Sequence, residues 1–246
     1  MNLVLDLGNT SGKIAVCEGN EVVEAASYPR ISSKEIAYFH LRYPHIRGTI
    51  ISSVVNYSRE LIDYLGNLYN PCIELNAGTP LPVINSYKTP ETLGGDRLAA
   101  VVGAHTLYPD QPCLVIDAGT AITFDLVTAR GEYLGGNISP GMEVRFKALH
   151  KFTSRLPQLE RPDETPGLLG TKTREAIQWG TVRGIVYEMD GCIDEIARLH
   201  SPLQVLITGG DANYFAGLVK NSIFVNQNLN LIGLNRILEH NATQHI

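Results

Sequence analysis

Leu3-Val-Leu-Asp-Leu-Gly-Asn-Thr10 returns, altered, as Leu114-Val-Ile-Asp-Ala-Gly-Thr120. Each copy is a short apolar run, then an Asp, then a Gly-containing turn with hydroxyl side chains, then a second apolar run. Runs this short and this rich in Val, Ile and Leu read as buried strands. The Gly lets the main chain turn tightly and come close to a ligand with no Cβ in the way. An Asp at the mouth of such a turn can hold a cation, and the neighbouring amides and hydroxyls can donate to phosphate oxygens. One such turn in each half of the chain predicts two similar half-structures facing each other across a nucleotide.

The chain of 246 residues, 44% hydrophobic and 18% charged, has room for one large or two medium domains with a self-sufficient core. Its formal charge is −5 and no Lys/Arg run exceeds two residues, which argues against a nucleic-acid surface but not against a small anionic ligand. Cys17, Cys72, Cys113 and Cys192 form no CxxC and lie near no His pair, so they read as reduced thiols of a cytoplasmic protein. No basic start leads into an apolar h-region, so no signal peptide is expected. No apolar run is long enough for a membrane span, so no membrane partner is expected. The seven histidines show neither HxxxH nor HxH, which speaks against a His-built metal site.

Periodicity predicts strands over 2–7, 12–17 and 21–26, with Gly19-Asn20 as the second hairpin turn. A helix over 33–43, capped by Ser32 or Ser33, a strand over 49–55, a helix over 58–69 and a short strand over 72–75 follow. A proline-bearing loop then leads to a helix over 96–107, opened by Gly94-Gly95. Pro109-Asp-Gln-Pro112 is the expected hinge, which sets domains at 1–110 and 111–246. Beyond it the pattern restarts with strands over 113–117, 122–128 and 132–138 and a helix over 142–150. A loop over 152–172 and a long helix over 173–199 form a helical insertion at about 151–199. A strand over 203–208, a helix over 212–219, a strand over 223–225 and a helix over 229–240 close the chain. The expected fold class is α/β, built from duplicated β-β-β-α-β-α-β-α halves.

Asp6, Leu7, Gly8, Asn9, Thr10, Ser11, Gly12 and Lys13 put two glycines, two hydroxyls, a carboxylate and a lysine within eight residues. The turn suits cradling the β- and γ-phosphates, with Lys13 adding positive charge and Asp6 holding Mg²⁺ directly or through water. The same residues are good chemistry for an ordinary tight hairpin. They are not a P-loop: GxxxxGK[ST] is missing, and a strand follows instead of a helix. Asp117-Ala-Gly-Thr-Ala-Ile-Thr123 repeats the design. In Thr208-Gly-Gly-Asp-Ala212, Gly209 and Gly210 either let the chain pass close under a flat ligand at a helix N-terminus or simply make a Gly-rich turn. In Thr92-Leu-Gly-Gly-Asp-Arg97, Asp96 is either a first-turn acid that suits a helix dipole or the acceptor of a substrate hydroxyl proton, with Arg97 gripping a substrate anion. Gly170-Thr-Lys-Thr173 reads as the N-cap of the long helix, and Gly135-Gly136-Asn-Ile-Ser-Pro-Gly141 as a strand-to-helix turn.

Taken together, and in this order and spacing, these motifs resemble the acetate and sugar kinase/Hsp70/actin superfamily, and within it the type III pantothenate kinases, over nearly the whole chain. The resemblance implies ribonuclease H-like halves of the actin and sugar-kinase type, with a nucleotide cleft between the domains. It implies an ATP-dependent phosphotransferase that moves the γ-phosphoryl to the 4′-hydroxyl of pantothenate, at the start of coenzyme A synthesis. Asp6 to Lys13, Thr120, Gly209 and Gly210 are then ATP contacts, and Mg²⁺ accompanies the nucleotide. Asp117 holds the monovalent cation, K⁺ or NH₄⁺. Asp96 is the proton acceptor. Tyr87, Gly94, Gly95, Asp96, Arg97 and Thr173 bind pantothenate, Arg97 through its carboxylate. A cytoplasmic homodimer with the long helix at its interface is also implied. The chain departs from the family pattern at Asn56, where Pro is frequent, and at Gly95, where Ala is common.

Overall fold

The computed structural model describes residues 1–243. Its element order is β1 (Asn2–Leu7), β2 (Gly12–Glu18), β3 (Glu21–Tyr28), α1 (Ser33–Arg42), β4 (Gly48–Ser53), α2 (Arg59–Leu68), β5 (Cys72–Glu74), β6 (Ile84–Asn85), α3 (Gly95–Leu107), β7 (Cys113–Ala118), β8 (Ala121–Val127), β9 (Glu132–Pro140), α4 (Met142–Lys151), α5 (Thr173–Leu199), β10 (Gln204–Thr208), α6 (Ala212–Ala216), β11 (Phe224–Val225) and α7 (Leu229–Thr243). The first five strands lie in the order β3-β2-β1-β4-β5, and the later set lies in the order β9-β8-β7-β10-β11. Both read 3-2-1-4-5 when each set is numbered from its own first strand, so the repeat seen in the sequence is a repeat of topology.

The chain divides into two compact units. Unit one comprises Met1–Cys113, Leu126–Gly135 and the C-terminal stretch from Asn228; unit two comprises Leu114–Asp125 and Gly136–Gln227. This division differs from a single cut at the Pro109–Pro112 hinge, because α7 packs against α3 instead of completing the second half. Side-chain size sets that packing. A Cβ on Gly233 would collide with the Ala99 carbonyl, and one on Gly103 with the Leu229 carbonyl, so the two helices touch backbone to backbone.

In unit one, β1 pairs antiparallel with β2 and parallel with β4. Its alternation sorts side chains to two faces. Leu3, Leu5 and Leu7 join Ile36 and Phe39 of α1 and Leu61 and Leu65 of α2 in one core. Val4, with Ile50, joins Ala99 and Val102 of α3 and Leu231 and Leu234 of α7 in another. Asp6 belongs to that second face by alternation. Helix α1 starts with a capping box: the Ser32 hydroxyl accepts from the Lys34 amide at 3.3 Å, and the Ser32 amide donates to Glu35 Oε2 at 2.8 Å. In unit two, Leu114, Ile116 and Phe124 pack with Phe146 of α4, Val182, Ile185 and Met189 of α5, and Phe215 of α6.

Several boundaries differ from the sequence expectation. Strand β4 ends at Ser53, where the Ser53 hydroxyl donates to the Val55 carbonyl and closes a turn. The loop before α3 contains β6, paired parallel with the start of β9, and one 3₁₀ turn at Pro90–Thr92. Residues 135–140 are strand, so the expected strand-to-helix turn shrinks to Gly141. Helix α6 is shorter than expected, and α7 runs on to Thr243. The N-cap of α5 is Lys172, with Thr173 already helical; the capping contact is made by Thr171, whose amide and hydroxyl both donate to Glu175 Oε2 at 3.0 Å.

Candidate active site

Unit one gathers the residues expected to handle phosphate and acceptor. Asp6 stands next to the last residue of β1, opposite Lys13 on β2 and Ser52 on β4. The turn between β1 and β2 closes with the Gly8 amide donating to the Ser11 carbonyl at 3.1 Å, which leaves Asn9 and Thr10 exposed at its tip. Gly12 has no room for a side chain, because a Cβ there would lie 2.9 Å from Ile31 Cδ1. Behind the turn, on the sheet face that carries α1 and α2, lies a cavity of about 460 Å³ lined by Leu7, Gly8, Ile31, Asn56, Tyr57 and Leu61. It contains none of Asp6, Lys13 or Asp96.

Asp96 opens α3 and faces Asp6 electrostatically. The Asp6 carboxyl is pushed up to about 6, first by burial and then by the negative charge of Asp96; Lys13 and a hydrogen bond from the Asn230 side chain pull in the other direction. Asp96 Oδ1 accepts from the Arg97 amide at 2.8 Å. Gly94 is required for this arrangement, because a Cβ at that position would overlap Asp96 Oδ1. Gly95 has a neighbour too: its Cβ would come within 2.8 Å of Ser52 Oγ.

Arg97 is buried, with its guanidinium carbon 5.6 Å from the centre of the Tyr87 ring. Tyr87 stacks in turn on the fully buried Tyr133, with ring centres 6.1 Å apart and planes 10° from parallel. Gly135, at φ +110, lies under the Tyr87 ring, a backbone conformation that glycine adopts without strain. The structure therefore unites Asp6, Lys13, Gly94, Gly95, Asp96, Arg97 and Tyr87 in one unit.

Unit two gathers a second set. Asp117 stands next to the last residue of β7, and the tight turn after the strand is held by the Gly119 amide donating to the Ala121 carbonyl at 3.0 Å. Gly209, at φ +94, packs so closely on this turn that a Cβ would overlap Asp117 Oδ1 and the Ala118 carbonyl. The Asp211 amide donates to the Ala118 carbonyl at 2.9 Å and ties the two turns together. Asp117, Thr120, Gly209 and Gly210 thus converge. Thr173 is exposed at the start of α5, also in unit two.

Two residues that the sequence reading did not single out also belong to the first set. Ser52 is 1% exposed, and its hydroxyl has no hydrogen-bond partner among the described residues. Asn230, near the start of α7, places its side chain on Asp6, while its Oδ1 is buried and without a partner. The signal was faint: a Ser closing the apolar run Thr49-Ile-Ile-Ser52, and an Asn between Leu229 and Leu231.

The family model for type III pantothenate kinases matches residues 2–195. A type III pantothenate kinase of Phocaeicola vulgatus is 46% identical over 98% of this chain and 99% of its own length. Among solved structures, a Baf family protein of Campylobacter jejuni is similar with a TM-score of 0.64 at 21% identity, over 98% of this chain and 99% of that one. The activator of 2-hydroxyisocaproyl-CoA dehydratase from Clostridium difficile, solved with bound ADPNP, is similar with a TM-score of 0.55 at 14% identity, over 99% of this chain and 97% of that one. These two structures share the fold.

Proposed function

The chain belongs to the type III pantothenate kinase family, and we propose that unit one carries the acceptor chemistry of that reaction, with Asp96 as its base. It is an ATP-dependent phosphotransferase: the γ-phosphoryl of ATP goes to the 4′-hydroxyl of pantothenate, the first step of coenzyme A synthesis. In the proposed mechanism the hydroxyl gives its proton to Asp96 as its oxygen bonds to phosphorus, and the bond from phosphorus to the bridging oxygen of ADP breaks. Phosphoryl transfer has a loose transition state, so the base needs position more than strength. The observation that carries this assignment is the Asp96 carboxylate, pinned by the Arg97 amide at 2.8 Å while sharing the electrostatic field of Asp6.

The other assignments rest on the same set of residues. The turn from Asp6 through Leu7, Gly8, Asn9, Thr10, Ser11 and Gly12 to Lys13 binds the ATP phosphates, with Lys13 offsetting their charge. Gly94, Gly95, Arg97, Tyr87 and Thr173 bind pantothenate, and Arg97 meets its carboxylate. Thr120, Gly209 and Gly210 contact the nucleotide, and Asp117 holds K⁺ or NH₄⁺. Mg²⁺ would be held at Asp6, a carboxylate oxygen donor of the kind Mg²⁺ takes, with the negative charge of Asp96 beside it. When bound, Mg²⁺ neutralises charge on the β- and γ-phosphate oxygens. The family resemblance supports a cytoplasmic homodimer acting without nucleic acid. Among the described residues no helix is long and apolar enough to cross a membrane.

Coupled ADP release, with and without pantothenate in K⁺ buffer, tests the reading. Release that requires pantothenate supports it. Release that ignores pantothenate, or none at all, overturns it.

A further inference from the structure

What orients the Tyr87 ring comes from far along the chain. Strand β6, just ahead of Tyr87, is two residues long and is held by β9, with Asn85 opposite Tyr133 and the Ser86 amide donating to the Tyr133 carbonyl at 3.1 Å. The Tyr87 amide donates to Asn85 Oδ1 at 3.0 Å, which ties down the backbone but not the ring. The ring lies within 10° of parallel to that of Tyr133, with 6.1 Å between centres. Tyr133 is fully buried, and a close-packed interior holds such a ring in one orientation.

The Arg97 guanidinium rests on the Tyr87 ring, its carbon 5.6 Å from the centre, inside the range of a cation–π contact. Arg97 is buried, and such a contact is stronger out of water. A guanidinium is a flat fork that meets a carboxylate with two parallel N–H donors, and the match depends on the plane in which the fork lies. A ring against its face limits that plane. Tyr133, Tyr87 and Arg97 thus form a column, all within unit one, that runs from the β6–β9 pair to the group assigned to the carboxylate of the acceptor. A tyrosine that merely filled space could be exchanged for any apolar side chain of similar bulk. A member of this column needs a flat ring.

We propose that Tyr133 is a positioning residue for acceptor specificity: through the Tyr87 ring it orients Arg97, and so it sets the preference for an acceptor that carries a carboxylate. The proposal rests on the assignment of Arg97 to the pantothenate carboxylate and adds the residue that makes the assignment selective. Tyr133 touches no reacting atom in this role, so its effect falls on acceptor affinity and not on the chemical step.

The test compares the KM of pantothenate with the inhibition constant of its alcohol analogue, in which CH₂OH replaces the carboxylate. The analogue is read as a competitor of labelled pantothenate, so its affinity is measured whether or not it is phosphorylated. An aromatic pair contributes, beyond its buried area, about 2- to 12-fold in an equilibrium constant. Tyr133→Leu should therefore lower the preference for pantothenate over the analogue by about 5- to 10-fold, through a raised pantothenate KM, while kcat and the KM of ATP stay within about twofold. Tyr133→Met, whose flexible side chain fills irregular core space, carries the same expectation and serves if Tyr133→Leu folds poorly. Tyr133→Phe keeps the ring and should match wild type within about twofold in every constant. A rise shared equally by pantothenate and the analogue is what loosened packing alone would give, and it overturns the proposal. So does an unchanged preference in a folded Leu or Met variant, or a Phe variant as impaired as Leu. Wild type that binds the analogue as tightly as pantothenate would instead sink the parent assignment of Arg97.

Discussion

Replacing Gly94 by Ala should separate catalysis from folding. Gly94 has φ −61 and ψ 134, values open to any L-residue, so the substitution brings no backbone strain. Removing a glycine also narrows the unfolded ensemble, which stabilises by about 0.4–1 kcal/mol where the native conformation is compatible. The new Cβ nevertheless overlaps Asp96 Oδ1, and the carboxylate is the softer partner because it can rotate. Rotation breaks the 2.8 Å bond from the Arg97 amide and moves the base. Clearing the overlap takes a shift of roughly 1 Å, and misplacing a reacting group by about that much can cost on the order of 10²-fold in rate. The assay is steady-state ADP release with pantothenate, run beside a thermal melt. The expected pair is a melting temperature at or slightly above wild type and kcat reduced about 10²-fold, or about 2.7 kcal/mol of barrier. A kcat within twofold of wild type in a folded Gly94→Ala protein would refute the placement of Asp96 as the base.

Asp96→Asn keeps shape and removes the proton acceptor; turnover should fall about 10²- to 10⁴-fold with the melting curve unchanged. Activity should require K⁺ or NH₄⁺, and full turnover in Na⁺ alone would remove Asp117 from the cation role. His105, on α3, has its pKa lowered first by burial, with Asp110 partly opposing. The folded protein thus binds a proton there less readily than the unfolded chain, which takes one up below about pH 6.5. Stability from this residue is complete above that pH and is lost on acidification. Denaturant melts at pH 7.5 and 5.5 should show a smaller loss in His105→Gln than in wild type.

Much of the fold was legible because its signals are local. The apolar runs around Asp6 and Asp117 mark β1 and β7, and the Gly19-Asn20 turn marks the second hairpin; each lies where expected. The common 3-2-1-4-5 strand order is the duplication in spatial form. What the sequence concealed depends on distant neighbours. Strand β6 is two residues long and exists through its pairing with β9, more than forty residues on. Helix α7 belongs with α3 because Gly103 and Gly233 let two backbones meet, and neither glycine differs in sequence from a weak helix position. The site follows the same division. Asp6, Lys13, Asp96 and Arg97 belong to recognisable motifs at element ends, whereas Ser52 and Asn230 acquire meaning only once β4 and α7 lie against Asp6.

The most direct measurement of the central claim follows the phosphoryl group itself. Incubating the protein with γ-labelled ATP, Mg²⁺, K⁺ and pantothenate, then resolving the products by mass spectrometry, should show label on the 4′-oxygen of pantothenate, one equivalent for each ADP formed, and Asp96→Asn should abolish nearly all of it. Label recovered only as inorganic phosphate, or transferred as well by Asp96→Asn as by wild type, would contradict the account.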